Sequence, residues 1–249
     1  MIEFQNIRKA FDGRVVLDDI SGKFTAGKNS LIIGASGTGK SVLLKCIVGL
    51  IQPDAGDVFF DGRSLFNSPV SEVKKIRREM GMLFQGSALF DSMSVAKNVR
   101  FPLDMLMPHL SFAEKMDKVM NSLERVGLTA AAEKMPSEIS GGMKKRVGIA
   151  RAIVMNPRYL FCDEPNSGLD PMTSIRIDEL ISEITSEYNM TTIVVTHDMN
   201  SVMGIGEYIL FLHQGRKEWE GDNQSILHAD NHALRDFVFA SKIMGMLIK

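Results

Sequence analysis

The chain has 249 residues, 45% of them hydrophobic and 24% charged, a composition that suits one globular domain or one domain carrying an inserted lobe. Its formal net charge of −1 supplies no broad basic surface and argues against nucleic acid as a partner. No run reaches the roughly 18 apolar residues that a membrane span requires, and the opening MIEFQNIRKAF alternates like a strand instead of forming the unbroken apolar stretch of a signal peptide.

In chain order, the first thirty or so residues read as two strands joined by a tight turn at Asp12–Gly13. NSLIIG is a short apolar strand that runs into a glycine loop, and GKSVLLKCIVGLI leaves that loop as a helix. QPDAGDVFFDG brackets a further strand with turn residues. Between about Gln85 and Pro157 the strand pattern gives way to a helical one, with Met116, Val119, Met120 and Leu123 on one face of SFAEKMDKVMNSLERVGL. This segment reads as a helical lobe inserted into an α/β core. The core resumes with YLFCDEP, a helix from about Met172 to Tyr188, and TTIVVTHD, an order that implies a parallel sheet buried on both faces. A hairpin turning at Gln214–Gly215 follows, and one or two helices end the chain.

Some residues carry ordinary structural expectations. Cys46 and Cys162 lie in apolar segments, the setting of buried, reduced thiols in a cytosolic compartment. The basic clusters Lys74–Lys75 with Arg77–Arg78, and Lys144–Lys145–Arg146, are expected on solvated helix faces. The 17 methionines are mostly core filling, and their density between Met80 and Met107 also suits an adaptable contact surface.

The chemistry concentrates at a few points. Gly34, Ala35, Ser36, Gly37, Thr38, Gly39, Lys40 and Ser41 match the phosphate-loop pattern G-x-x-x-x-G-K-[ST]. Its glycines let backbone N–H groups turn inward onto phosphate oxygens, its lysine adds a point charge near the terminal phosphates, and its hydroxyl reaches magnesium. YLFCDE is an apolar strand ending in Asp163 and Glu164, at the edge where open α/β sheets bind ligands. Asp163 there would hold magnesium, and Glu164 would polarise an attacking water. His197 ends a third strand, and the amide of Gln85 can touch both metal and water. EISGGMKKRVGIARAI offers a second glycine-rich helix start, again suited to an anion.

Taken in order, the phosphate loop, Gln85, ISGGM, CDEP, NSGLD and His197 resemble the ATP-binding-cassette ATPases over essentially the whole chain. The resemblance implies an α/β fold: a P-loop ABC nucleotide-binding domain over residues 1–220 with an N-terminal antiparallel β subdomain and an inserted helical subdomain at about 86–157, then a C-terminal helical extension over 221–249. It makes Gly34–Ser41 the Walker A loop, with nucleotide contacts continuing to Val42, and Tyr159–Asp163 the Walker B strand. Glu164 becomes the catalytic carboxylate, Gln85 the Q-loop residue, Ser167–Asp170 the D-loop and His197 the switch histidine. Phe11 would stack on adenine with Val16 beside it. Lys40, Gln85, Glu164 and His197 would serve catalysis; Ser41, Gln85 and Asp163 would place magnesium. In such a homodimer Ser140, Gly141 and Gly142, with Asp170, would close on the ATP held by the partner's Walker A loop. Here Met143 and Ile139 replace the usual signature glutamine and leucine, Phe11 replaces a tyrosine and Asn166 a threonine. The phosphate-contacting serine and glycines remain.

The segments GMLFQGSALFDSMSVAKNVRFPL and SGGMKKRVGIARAI resemble, more narrowly, the ATPase subunit of Mla/Mce-type phospholipid transporters of bacterial envelopes. That resemblance implies an ATPase on the cytoplasmic face of the inner membrane, an integral permease seated near Gln85–Met107, and a periplasmic lipid-binding subunit. The tail ending FVFASKIMGMLIK would reach the neighbouring subunit or pack on its own core through Phe237, Val238 and Ile243. The alternatives are the ATPase of an amino-acid or lipoprotein transporter, and a switch ATPase without a permease.

Overall fold

A computed structural model describes residues 1–239. Its centre is a six-stranded sheet ordered β10-β9-β3-β8-β7-β6, built from β3 (Asn29–Ile33), β6 (Met80–Leu83), β7 (Tyr159–Asp163), β8 (Thr191–Val195), β9 (Tyr208–His213) and β10 (Arg216–Gly221). All neighbours pair in parallel except β9 and β10. The inner strands read as unbroken apolar runs because both faces are covered. Their side chains divide by the period of two: Leu31, Ile33, Leu160, Cys162, Val194, Ile209 and Phe211 enter one core, while Ile32, Tyr159, Phe161, Ile193, Val195, Leu210 and Leu212 enter the other.

The second core is closed by α1 (Lys40–Ile47) and by an antiparallel sheet ordered β2-β1-β4-β5. Its strands are β1 (Ile2–Phe11), β2 (Arg14–Phe24), β4 (Ala55–Phe60) and β5 (Arg63–Ser64). Asp12–Gly13 joins β1 to β2 with φ of 48° and 79°, the double left-handed conformation of a tight hairpin turn. Gln214–Gly215 repeats it between β9 and β10, at 49° and 78°.

The first core is covered by three helices of the inserted segment, α3 (Val95–Leu106), α4 (Phe112–Arg125) and α5 (Gly141–Ile153), together with α6 (Pro171–Glu187). A capping box starts α4: Ser111 Oγ accepts from the Glu114 amide at 3.3 Å, and Glu114 Oε2 accepts from the Ser111 amide at 2.7 Å. Val119 and Leu123 are fully buried, with Met116 and Met120 packed beside them. Asn98, also fully buried, accepts from the Phe90 amide and donates to the carbonyls of Phe90, Met93 and Ser94. It thereby fixes the loop that enters α3.

The two basic clusters part company. Lys74, Lys75, Arg77 and Arg78 are exposed on the helix α2 (Val70–Arg78), which turns Ile76 inward. Lys145 does not share the expected solvated face: it is 5% exposed, because α5 lies across the turns after β6 and β7, where the carbonyls of Gln85 and Glu164 accept from that side chain. The thiols are buried as expected, and burial pushes Cys46 up to about 11 and Cys162 up to about 12, far from a reactive thiolate.

Two further helices follow β8: α7 (Met199–Ile205) and, near the chain end, α8 (His232–Phe239). Leu234 and Val238 of α8 join the first core, and the ring of Phe237 lies 5.5 Å from that of Phe211. The described tail therefore packs on its own chain; Ile243 lies outside the described residues. No helix among the described residues is long and apolar enough to cross a membrane.

The join between β6 and α5 leaves no room for a side chain at Gly81, where a Cβ would sit 2.3 Å from the Ala152 carbonyl oxygen. Gly81→Ala should cost about 1–3 kcal/mol of stability by urea unfolding. Gly86→Ala, where a Cβ would meet nothing within 4 Å, should stay within about 0.5 kcal/mol of the parent.

Candidate active site

The parallel strands β3, β6, β7 and β8 deliver their functional residues to one edge of the sheet. After β3 the chain enters the glycine loop, with Gly34, Gly37 and Gly39 at φ of 149°, 81° and 101°. Gly39, left-handed, is the N-cap of α1, so the free amides of the first turn face the loop. Lys40 folds over it, donating to the carbonyls of Gly34 at 2.8 Å and Ala35 at 2.9 Å. Burial lowers its affinity for a proton, and the nearby Glu164 and Asp163 work the other way. Thr38 Oγ1 closes the loop on the Ala35 carbonyl at 2.9 Å. Val42 is half-buried on α1 and packs toward the second core.

Ser41 Oγ donates to Asp163 Oδ1 at 3.1 Å. Asp163 is 8% exposed, and burial raises its carboxyl above the usual range. A hydroxyl and a buried carboxylate fit a divalent cation. Among the described residues no group of three or more His, Cys, Asp and Glu is arranged to hold one. A cation here would draw its other ligands from phosphate and water, the habit of magnesium.

Glu164 adopts a left-handed backbone, φ 50°, with its amide donating to Val195 O at 2.9 Å. That turn swings its carboxylate over the end of β8, where His197 Nδ1 lies 3.0 Å from Oε1 and 2.8 Å from Oε2. Lys40, Ser41, Asp163, Glu164 and His197 thus form one constellation. Gln85 stands apart: its side chain is exposed on the loop after β6, and only its carbonyl is bonded, by Lys145.

A cavity of about 560 Å³ adjoins the loop, lined by Arg14, Val15, Val16, the residues Ala35–Thr38, and His213, Gln214 and Gly215. Phe11 lies outside that lining, 42% exposed at the end of β1 with Lys9 Nζ 5.4 Å over its ring. Arg14, His213 and Gln214 escaped sequence reasoning because the β9–β10 turn reaches this wall only through tertiary pairing. The Asp18 amide donates to Gly215 O at 2.8 Å, and Arg216 pairs with Asp18 at 2.6 Å.

The second glycine-rich helix start opens elsewhere. Ser140 is the N-cap of α5, accepting from the Met143 amide at 3.3 Å. With Gly141 and Gly142 it lines a cavity of about 550 Å³ that also includes Gly168, Leu169 and Asp170. This cavity shares no lining residue with the one beside the phosphate loop. Asp170 caps α6, holding the Thr173 amide at 3.0 Å and hydroxyl at 2.6 Å.

A family model described as "ABC transporter" matches residues 17–167. The chain belongs to the ABC transporter family. It is an ATPase cassette of that family. It is 36% identical over 240 residues to the intermembrane phospholipid transport system ATP-binding protein MlaF of Haemophilus influenzae, covering 96% of this chain and 90% of that one. It is 40% identical over 241 residues to the methionine import ATP-binding protein MetN of Caulobacter vibrioides, covering 96% of this chain and 72% of the relative. Among solved structures, a dimeric post-hydrolysis ATP-binding cassette bound to ADP and Pi superposes with a TM-score of 0.81 at 31% identity, over 90% of this chain and 99% of that one.

Behind the site the cassette buries a polar knot that sequence reading missed. Asn166 Nδ2 donates to Asp178 Oδ1 at 2.8 Å and to Ser201 Oγ at 3.0 Å, tying the loop after Glu164 to α6 and α7. Burial drives the Asp178 carboxyl up to about 6. A folded-state value above the unfolded one near 4 means that the stability linked to its proton is full below about pH 4 and is lost as pH rises through about 6. Asp178→Asn should therefore gain stability relative to the parent as pH rises through about 6, by urea unfolding across that range. Parallel pH profiles would exclude Asp178 as the titrating group.

Proposed function

We propose that this cassette is the ATPase of a phospholipid transporter of the bacterial envelope, acting as a head-to-tail homodimer at the cytoplasmic face of the inner membrane. The observation that carries the dimer is the separation of two phosphate-ready helix starts into cavities with no residue in common. In one subunit neither cavity completes a nucleotide site. With two subunits antiparallel, Ser140, Gly141 and Gly142 of one close on the terminal phosphate of ATP held by the other's phosphate loop, with Asp170 at the same face. The dimeric cassette that superposes on this chain favours the same arrangement.

Glu164 accepts a proton from the attacking water as its oxygen bonds to the terminal phosphorus. The bond to the ADP oxygen breaks, and ADP and inorganic phosphate leave. Lys40 and the loop amides stabilise the charge that develops on the phosphoryl oxygens. Ser41 and Asp163, with Gln85, would hold magnesium, which neutralises phosphate charge when bound. His197, already against the Glu164 carboxylate, orients it and senses the terminal phosphate. Phe11 and Val16 flank the base.

An apolar groove of about 410 Å³ lies beside the Gln85 loop, lined by Met80, Met82, Phe84, Phe90, Phe101 and Leu106 among others. We assign it to a helix of an integral permease. Phe84, Phe90 and Leu106 are each about 40% exposed there (39%, 40% and 39%), more apolar surface than an unpartnered loop needs. The phospholipid cargo, with a periplasmic lipid-binding subunit, is favoured by the likeness to MlaF over 90% of that protein's length and by the methionine at position 143 of the signature. Methionine is the rival cargo, favoured by the likeness to MetN.

Glu164→Gln should lower ATP turnover by about 100-fold or more and accumulate an ATP-bound dimer on gel filtration; ordinary turnover would remove Glu164 from this role. Lys40→Ala and Ser140→Arg subunits, each inactive alone, should recover activity when mixed, since half the dimers then hold one intact composite site. No recovery would exclude the trans arrangement. Tagged cassette drawn from gently solubilised membranes should bring a permease, a lipid-binding subunit and phospholipid. A permease with a methionine-binding protein would redirect the cargo.

A further inference from the structure

The helix α5 begins at the signature serine and carries three cations bonded to backbone carbonyls of other segments: Arg146 holds Val126 O at 3.1 Å, and the other two reach loops that follow strands of the central sheet. Lys145, 5% exposed, donates from Nζ to the carbonyl of Gln85 and, at 3.2 Å, to the carbonyl of Glu164. Six residues further on, Arg151 donates to Ala88 O at 2.7 Å and Ser87 O at 2.5 Å. Ser87 and Ala88 are both left-handed, at φ of 61° and 45°, so this loop is held in a shape its residues do not favour by themselves. A buried ammonium with carbonyls for partners is costly in desolvation. A methionine or leucine would fill the same space at less cost, but it would leave the Gln85 carbonyl without a donor and the Glu164 carbonyl with the Ser167 amide alone, at 3.2 Å.

What distinguishes Lys145 is the identity of those two carbonyls. One belongs to Gln85, given a place at the metal under the proposed function, the other to Glu164, whose carboxylate there polarises the water. We propose that Lys145 is a positioning residue for hydrolysis, fixing the backbones of Gln85 and Glu164 to the signature helix so that all three move as a unit. The signature of one subunit closes on the nucleotide of its partner, whereas Glu164 acts on its own subunit's nucleotide. Lys145 thus links closure at one site to alignment of the carboxylate at the other, and gives the two sites a mechanical reason to fire together. This rests on the role given to Glu164 above.

The test uses the full chain, with ATP turnover and fluorescent-ATP binding measured side by side. Lys145→Met should keep nucleotide affinity within about threefold, because the phosphate loop is untouched, while kcat falls about tenfold or more and the Hill coefficient for ATP drops toward one. Lys145→Gln, which restores a neutral donor, should recover kcat to within about threefold of the parent. Parent-like kcat in Lys145→Met would overturn the inference. So would equal impairment of the Met and Gln variants, or affinity and turnover falling together with the thermal midpoint, the signs of a structural role alone. Should Lys145→Met fail to fold, Lys145→Arg decides: its longer head displaces the carbonyls, so kcat must fall at unchanged affinity, and a parent-like kcat refutes positioning. Glu164→Gln run in parallel separates the two ideas. If it loses turnover while Lys145→Met keeps it, only the Lys145 inference fails; if it turns over normally, the underlying role of Glu164 fails first.

Discussion

The constraint on which everything else depends is the burial of a parallel sheet on both faces. Such a sheet has no side left for water, so its strands carry apolar side chains up and down alike, and every group that must meet a ligand is expelled to the strand ends. Ile33, Leu83, Val195 and the strand that ends at Asp163 all stop at the same edge. The residues that follow inherit a common mouth. Gly34, Glu164 and His197 are far apart in sequence yet open on this one mouth, with the Gln85 loop at its side, because the strands before them are packed side by side.

The same constraint explains where strain sits. Glu164, Ser87 and Ala88 all take left-handed backbones just past strands of the central sheet, where the chain must turn sharply away from a packed layer. Left-handed conformations in such residues persist when surrounding bonds over-determine them. The Val195 carbonyl holds Glu164 by its amide, and Arg151 holds Ser87 and Ala88 by their carbonyls. The second core plays a different part. It anchors α1 and the antiparallel sheet, so the phosphate loop rests on a base as rigid as the strands themselves.

Much of this was legible in the sequence. The phosphate loop lies between a strand and a helix, Asp163 ends an apolar run, and Asp12–Gly13 and Gln214–Gly215 announce their turns; each is a local pattern with a local cause. What was not legible depends on partners distant in sequence. Lys145 reads as one member of a basic cluster, and its burial follows from carbonyls 60 and 19 residues away. The burial of Asp178 likewise depends on Asn166 and Ser201, which come from the loop after Glu164 and from α7. The wall formed by His213 and Gln214 could not be foreseen from a hairpin pattern, which gives the turn but not the surface it meets. Phe11 marks the opposite limit: the resemblance selects it, yet it stands outside the lined cavity beside the phosphate loop.

The stitching of the β9–β10 turn to the start of β2 has a consequence for how the protein comes into being. One wall of the cavity beside the phosphate loop is made early in synthesis, from Arg14 to Val16, and the other late, from His213 to Gly215. A Cβ at Gly215 would sit 2.6 Å from the Val16 carbonyl, so the two walls touch. The strand that carries the phosphate loop pairs only with β8 and β9, so a nascent chain has neither the loop nor the cleft in place until these late strands are made. The cleft is complete only when the sheet has received β9 and β10, which makes it a late mark of completed folding.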